Sequence, residues 1–413
     1  MSVTTTPAPP AVQQRWAYPL LITLLAASLG VSGAPAPLYG LYQQRWDLAP
    51  ITTTVVFAAY AVAALAAVLV AGQASDKYGR KPLLLGAAAV MVAGLVVFMT
   101  ADGVAALVVA RVLHGAAVGT AVVVGSAALL DLRPEHGART GHLTGIMFNL
   151  GIAVTILGAS LLAQFAGHPL VTPFAAVAAV VLVLLLGLLA MAETHGGRTG
   201  RSSGPLRIAR PSVPAAIGAD FRFAVVGVMA AWSVLGVYLS LFPAFAGEST
   251  GIHSLVFGGA VVAAMAGAAA VSQALGGRLA PKRAAVAGDF GTAVSLGLSV
   301  AALDSHHAAL IGGAAVLMGL SFGLAFGGSL RHLGGVVPAA HRGQVMSAFY
   351  VLAYSAMAVP TILAGWAATT WGLGAVFPWF SLVVALACVA AGTMGTVGAR
   401  APRAGRCAAC PAA

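Results

Sequence analysis

Long apolar runs, each closed by a short polar break, recur along the whole chain. A helix needs about 20 mostly apolar residues to cross a bilayer. By that measure the chain holds twelve segments, at 17–38, 51–72, 83–100, 104–130, 142–164, 170–192, 221–244, 255–277, 284–301, 308–330, 343–366 and 375–397. They lack the alternation of barrel strands, so they predict helices. The segments at 104–130, 142–164 and 308–330 run long, as tilted or protruding helices do. The longest break is THGGRTGRSSGPLRIARPSVPAAIGAD. Its Gly, Pro, Ser and Arg content is that of a flexible linker. It divides the chain into a six-helix bundle at 1–193, a linker at 194–220, a second six-helix bundle at 221–397 and a tail at 398–413. The first run follows Arg15 and ends near GAPAP, loosely like a signal peptide. It is long enough to span and eleven equals follow it, so it reads as a retained first helix.

Composition narrows the class. Of 413 residues, 60% are hydrophobic and 8% charged, against about 25% charged in soluble domains. Such a chain cannot dress its surface for water, and an all-α integral membrane protein is expected. The excess of Ala, Gly and Val, and of Arg over Lys, points to a bacterium with a G+C-rich genome. Three cysteines exclude a disulfide framework. Cys388 lies in the last run, and Cys407 and Cys410 lie in the tail GRCAACPAA, read as unstructured.

The net charge of +11 fits either nucleic acid or a membrane surface, and its distribution decides. If the N-terminus is cytoplasmic, Arg45 alone falls on the opposite side and Arg111 lies within a helix. Every other lysine and arginine, from Arg15 to Arg406, lies on the cytoplasmic side. Cationic loops are retained there during insertion. The charges form no single stripe, so nucleic acid is excluded, and both termini are expected in the cytoplasm of a bacterial inner-membrane protein. Sliding one half along the other lays Gly72 on Gly276, Gly115 on Gly319, Gly119 on Gly323 and Pro134 on Pro338. A duplicated six-helix unit, two pseudo-symmetric bundles, is the reading.

One loop concentrates charge in this sparing sequence: GQASDKYGRKP, from Gly72 to Pro82, between the second and third segments. Gly72 would let helices approach closely, and Gly79 would permit a tight reversal. Asp76 could sit at the N-terminus of another helix, with Arg80 and Lys81 on the cytoplasmic face. The pattern resembles the signature of the major facilitator superfamily, as do the twelve spans, the six-plus-six division and the long linker. The resemblance implies the major facilitator fold, with two bundles rocking about a midplane site. It also implies an ion-pair network closing the cytoplasmic side, with Asp76 and Arg80 as members and Asp131 as their partner. The matching second-half loop, GGRLAPKRA, lacks the acid, so an asymmetric latch is expected.

The fourth segment holds ARVLHGAAVG. Arg111 lies roughly 12 Å from the outer end at 1.5 Å per residue, and His114 lies near the midplane. A charge at this depth is expensive and normally faces a cavity; the alternatives for Arg111 are snorkelling or satisfying carbonyls, and for His114 packing. This stretch resembles the R-x-x-x-G element that drug exporters of the superfamily associate with proton coupling. Other marks of that branch are imperfect: Gly30, Pro35 and Pro37 resemble its first-helix glycine and prolines at shorter spacing, and the fifth segment has Gly151 and Gly158 but no proline. Pro360 in the eleventh segment, with Pro35 and Pro37, marks a candidate flexing point. Further cavity candidates are Asn149, Trp232, Tyr238, Tyr350 and Tyr354, each weighed against packing or interfacial anchoring. Asp289 is expected to snorkel toward Lys282 and Arg283, which leaves Arg111 as the firm cavity charge.

These features predict a secondary transporter, acting as a monomer in the lipid bilayer on a small molecule, with protons as the candidate coupling ion. Proton-coupled export of a neutral or anionic amphiphile leads, and uptake or facilitated movement of a metabolite or sugar is the alternative. A membrane-embedded enzyme would need a nucleophile, metal ligands or paired acids at one site. No such motif stands out, no P-loop is present, and no cofactor or metal is expected. A non-transporting sensor would need a signalling domain.

Overall fold

The computed structural model describes residues 14–194, 211–338 and 341–397. Most of the linker and the tail, with Cys407 and Cys410, lie outside the described residues. Regular structure within them is entirely helical: α1 (Ala17–Gly33), α2 (Tyr39–Trp46), α3 (Pro50–Tyr78), α4 (Arg80–Met99), α5 (Val104–Leu132), α6 (Gly137–Phe165), α7 (Thr172–Ala190), α8 (Gly218–Ser240), α9 (Phe242–Thr250), α10 (Leu255–Gly276), α11 (Pro281–Asp304), α12 (Ala308–Val336), α13 (Arg342–Trp371) and α14 (Leu373–Val397). Among the described residues, twelve stretches are long and apolar enough to cross a membrane, counting α1, its following turn and α2 as one.

Two short helices depart from the expected segments. Pro35 and Pro37 lack the N–H groups that would continue α1. The chain therefore makes one 3₁₀ turn, Ala36–Leu38, and resumes as α2. In the same way α8 stops at Ser240, short of the expected 244, and α9 starts with Pro243 in its first turn, where proline is tolerated. α9 ends at Gly251, φ 70°. Apolar content continues through both breaks, so hydropathy alone merges them.

By internal contacts the chain forms two compact units: residues to Asp47 with Ala59–Ala209, and Leu48–Ala58 with the rest from Arg210. The start of α3 thus groups with the second unit, where the backbone N–H of Ile51 donates to Thr369 Oγ1 at 3.0 Å. The linker alone would have placed it in the first bundle. In the first unit α4 and α1 each pack on α5, α6 packs on α1 and α7 on α4. In the second, α12 lies between α10 and α11, and α14 packs on both α11 and α8. Peripheral helices keep apolar side chains outward, such as Val183 and Leu186 on α7 and Val383 and Leu386 on α14. Without a hydrophobic drive between helices in lipid, close van der Waals packing must hold each unit together.

The paired glycines of the two halves show how. A Cβ on Gly115 would lie 2.8 Å from Ala63 Cβ and 2.9 Å from the Ala64 backbone nitrogen on α3. One on Gly319 would lie 2.9 Å from Ala268 Cβ and 2.8 Å from the Met265 carbonyl carbon on α10. Ala64 and Ala268 stand in the same register as the glycines they face. Gly119 and Gly323 repeat the crossing one turn on, against Ala64 and Ala269. The duplication is therefore one of contact geometry as well as of letters.

Candidate functional site

In the first unit the charged turn folds into a compact network. Gly79 has φ 94° and ψ 163°, a conformation essentially reserved for glycine. It ends α3 and starts α4 within one residue, which folds the Arg80 side chain back over the end of α3. Arg80 Nη1 donates to Asp76 Oδ1 at 2.6 Å and to Ser75 Oγ. Its Nε donates to Asp131 Oδ2, at the end of α5, at 3.1 Å. The Arg80 side chain is 9% exposed, Asp131 29% and Asp76 66%. The three residues that the resemblance singled out are thus in direct contact.

Two expectations for this loop are corrected. Gly72 is not pressed by a neighbour: an added Cβ would meet only Val123 Cγ1, at 3.8 Å, an ordinary contact. Asp76 pairs with Arg80, and the carboxylate at a helix N-terminus is Glu193 instead. Glu193 follows α7 and accepts the backbone N–H groups of Arg80 and Lys81, each at 3.0 Å. These are among the orphan donors of the first turn of α4, and the helix dipole adds to their pull on an anion. In return Lys81 Nζ donates to Leu189 O at 2.8 Å. That places a cation on the carbonyl end of α7, where the dipole favours it. Glu193 escaped sequence reading because an acid just past a helix C-terminus is unfavourable on its own. It makes sense only once α4 begins beside it.

The second unit solves the equivalent turn without acids. Arg331 of α12 donates to the carbonyls of Gly276, Gly277 and Leu279, at 2.9 to 3.3 Å, around the end of α10. Nearby, Asp220 of α8 and His332 of α12 meet at 2.8 Å.

Arg111 is fully buried in the first unit and points inward, so it does not snorkel. Its Nη1 donates to Ser32 O at 2.9 Å, and its guanidinium lies 4.6 Å from the centre of the Tyr60 ring. The prolines explain the acceptor. Breaking α1 at Gly33 leaves the carbonyls of its last turn without helical partners, and a cation is favoured at that end. The Tyr60 hydroxyl bonds Ser32. Tyr39, 3% exposed, lies within electrostatic range of the guanidinium, with no hydrogen-bond partner for its hydroxyl among the described residues. Pro35 and Pro37 therefore build this cluster as well as interrupting the span.

His114 makes no hydrogen bond within it, although it stays within electrostatic range of Arg111. One turn along α5, its ring turns to α4, 5.2 Å from the Phe98 ring, in space left by Gly94. Asn149 of α6 is 5% exposed and donates to Gly145 O of its own helix at 3.2 Å.

In the second unit the structure brings together Trp232, Tyr350 and Tyr354. Trp232 of α8 meets Tyr354 of α13 edge-on, rings 4.9 Å apart, and Tyr350 lies 6.4 Å from Tyr354. Phe326 of α12 closes on Trp232 at 5.9 Å. Phe326 was illegible within an apolar run. Trp232 Nε1 is buried with no hydrogen-bond partner among the described residues. Tyr238 belongs elsewhere: it stacks on Phe242 at 3.9 Å, with its hydroxyl 3.5 Å from Ser299 Oγ, as core packing. Pro360 does not break α13. Its missing N–H frees Ala356 O, and Ser233 Oγ of α8 donates there at 2.9 Å while also lying 2.8 Å from Met229 O.

The expectation for Asp289 is also corrected. It is 1% exposed and turned toward Gly227 of α8, rather than snorkelling to Lys282 and Arg283. Among the described residues no group of three or more His, Cys, Asp or Glu is placed to hold a metal.

The sequence profile of the Major Facilitator Superfamily matches residues 18–361. The inner membrane transport protein YajR of Escherichia coli (strain K12) is 29% identical over 126 residues, 30% of this chain. The match spans 27% of that relative, little more than a quarter of its length. A crystal structure of a mutant of the nucleoside transporter NupG superposes with a TM-score of 0.69, covering 92% of this chain and 99% of that one at 12% identity. At such identity the likeness shows the fold alone. With the profile covering most of the chain, and twelve membrane-length apolar helices among the described residues, the protein belongs to the Major Facilitator Superfamily of membrane transporters.

Proposed function

We propose that the protein is a proton-coupled exporter of a neutral or anionic amphiphile, working by alternating access in a bacterial inner membrane with both termini in the cytoplasm. The orientation rests on the one-sided distribution of lysine and arginine, read by the retention of cationic loops. The observation that carries the substrate class is Arg111, a fully buried cation set among hydroxyls and a carbonyl. In the second unit Trp232 offers an unspent N–H beside aromatic rings. Both units thus present donors, which suit acceptor-bearing and aromatic compounds and disfavour cations. The turn at Gly79, with Arg80, Lys81, Asp76, Asp131 and Glu193, serves as the cytoplasmic latch.

Reconstituted vesicles preloaded with a panel of fluorescent amphiphiles test this reading. Anionic and neutral members should leave faster under a proton gradient, and Arg111→Ala should abolish that flux. Transport of lipophilic cations that Arg111→Ala leaves unchanged refutes the substrate class. Flux indifferent to the gradient favours the competing reading, uptake or facilitated movement of a metabolite.

A further inference from the structure

Asp289 sits in α11 with 1% of its surface exposed, and neither carboxylate oxygen has a hydrogen-bond partner among the described residues. Room for it comes from Gly227 of α8, where a Cβ would lie 2.6 Å from Oδ1. α14 packs on both of these helices and brings Cys388, itself 1% exposed, within electrostatic range.

Apart from Cys388, the ionisable groups on the surrounding helices are engaged elsewhere or exposed. On α11 itself, Lys282 lies over the Phe223 ring at 5.7 Å, and Arg283 is exposed. On α8, Asp220 is held by His332 of α12 and Arg222 is exposed. Tyr238 of α8 faces Ser299, about three turns along α11 from Asp289. On α12, Arg331 is spent on the carbonyls at the end of α10. Thr292, one turn from Asp289 and also buried, donates to Gly288 O.

A charged carboxylate in a dry interior, with neither donor nor counter-charge, costs several kcal/mol. A bound proton removes that cost. A packing role alone gives no reason for an acid against a glycine notch, since an apolar side chain would fill the space without the penalty. Intramembrane acids of this kind mark proton or ion pathways.

We propose that Asp289 is a proton-binding site in the core of the second unit, and that loading and unloading it couples proton movement to the transport cycle. The carboxylate takes a proton from water, forming an O–H bond, and returns it to water when a small shift of α8 at Gly227 admits solvent. No other reactant is needed. The coupling half of this proposal rests on the transporter reading above; the site itself does not.

Infrared difference spectroscopy on the full chain in lipid nanodiscs, titrated with protons and exchanged into D₂O, tests the site. A carboxyl free of hydrogen bonds absorbs at the high-frequency edge of the carboxylic-acid region. The wild type is expected to show a band there that titrates and shifts in D₂O. Asp289→Asn should lose it, and Gly227→Ala, which presses on the carboxyl, should displace it. No such band, or one unmoved by both variants, overturns the site. In vesicles, Asp289→Asn should lose gradient-driven flux by about tenfold or more while keeping gradient-free exchange. Unchanged gradient-driven flux overturns the coupling role. A wild type that moves no compound defeats the transporter reading instead, and the infrared result still decides the proton site.

Discussion

Arg80 touches two carboxylates, and distance and burial disagree about which pair matters more. The Asp76 contact is shorter, 2.6 Å against 3.1 Å for Asp131. In Coulomb terms that favours Asp76 by a factor of roughly 1.2. Exposure acts the other way, since the Asp76 side chain is 66% exposed and Asp131 29%. The effective dielectric differs about fourfold between bulk water and a protein surface, so burial should win. Exposed pairs four apart give about 0.3–0.5 kcal/mol, and salt screens them. A partly buried hydrogen bond between charged groups is worth about 1.5–3 kcal/mol. Double-mutant cycles on SDS unfolding in mixed micelles, pairing Arg80→Ala with Asp131→Asn and with Asp76→Asn, measure both couplings. The expected values are about 1.5–2 kcal/mol for Asp131 and about 0.5 kcal/mol or less for Asp76, the latter fading with salt. A larger coupling to Asp76 would show that this network is not governed by burial.

Three further outcomes follow from named contacts. Gly79→Ala must adopt φ 94° and press its Cβ to 2.6 Å from Glu193 Oε2; it should lose about 2–4 kcal/mol in the same unfolding assay, and amide exchange at Arg80 and Lys81 should accelerate, an effect that Glu193→Gln reproduces only in part. Gly115→Ala and Gly319→Ala push on backbone across a helix crossing and should each cost about 1–3 kcal/mol, whereas Gly158→Ala, with nothing within 4 Å, should be neutral or stabilising; equal melting temperatures for all three would remove the duplicated crossing as a structural cause. Ser233→Ala leaves Ala356 O without the donor that replaces the missing Pro360 N–H and should cost about 1–2 kcal/mol, a loss that should vanish when Pro360→Ala restores the helical hydrogen bond.

How legible the molecule is from its letters depends on the kind of information each feature needs. The spans were readable because lipid imposes a length and an apolar content on each helix separately. The Asp76–Arg80–Asp131 contact was reachable through the resemblance of the charged loop to the superfamily's signature, which implied Asp76 and Arg80 as members of one network and Asp131 as their partner. Glu193 and Phe326 were not, since each acquires its role from a helix far away in sequence. Arg111 and His114 are one turn apart, and each was a cavity candidate, with packing the alternative for His114. Three helical steps leave them about 60° apart around the axis. That offset is enough to send one to the broken end of α1 and the other to α4. Asp289 failed for a related reason: sequence distance to Lys282 and Arg283 suggested neutralising cations, while Gly227, the residue that makes room for its side chain, lies on another helix.

The two units also show that repeated geometry does not require repeated chemistry. Glycines in matching register set the same crossings, because a helix contact needs only the absence of a side chain. The turns beyond those helices diverge. The first is tied by carboxylates to Arg80 and to backbone N–H groups, so salt can loosen it. The second is tied by Arg331 to backbone carbonyls, which do not exchange partners with salt as a carboxylate does. Raising the salt concentration should therefore loosen the α3–α4 turn more than the α10–α11 turn. Comparing backbone amide exchange at Arg80 and Lys81 with that at Lys282 and Arg283 across a salt titration tests this directly. Parallel loosening of both turns would show that some shared feature of the fold, rather than the local ion chemistry, sets their stability.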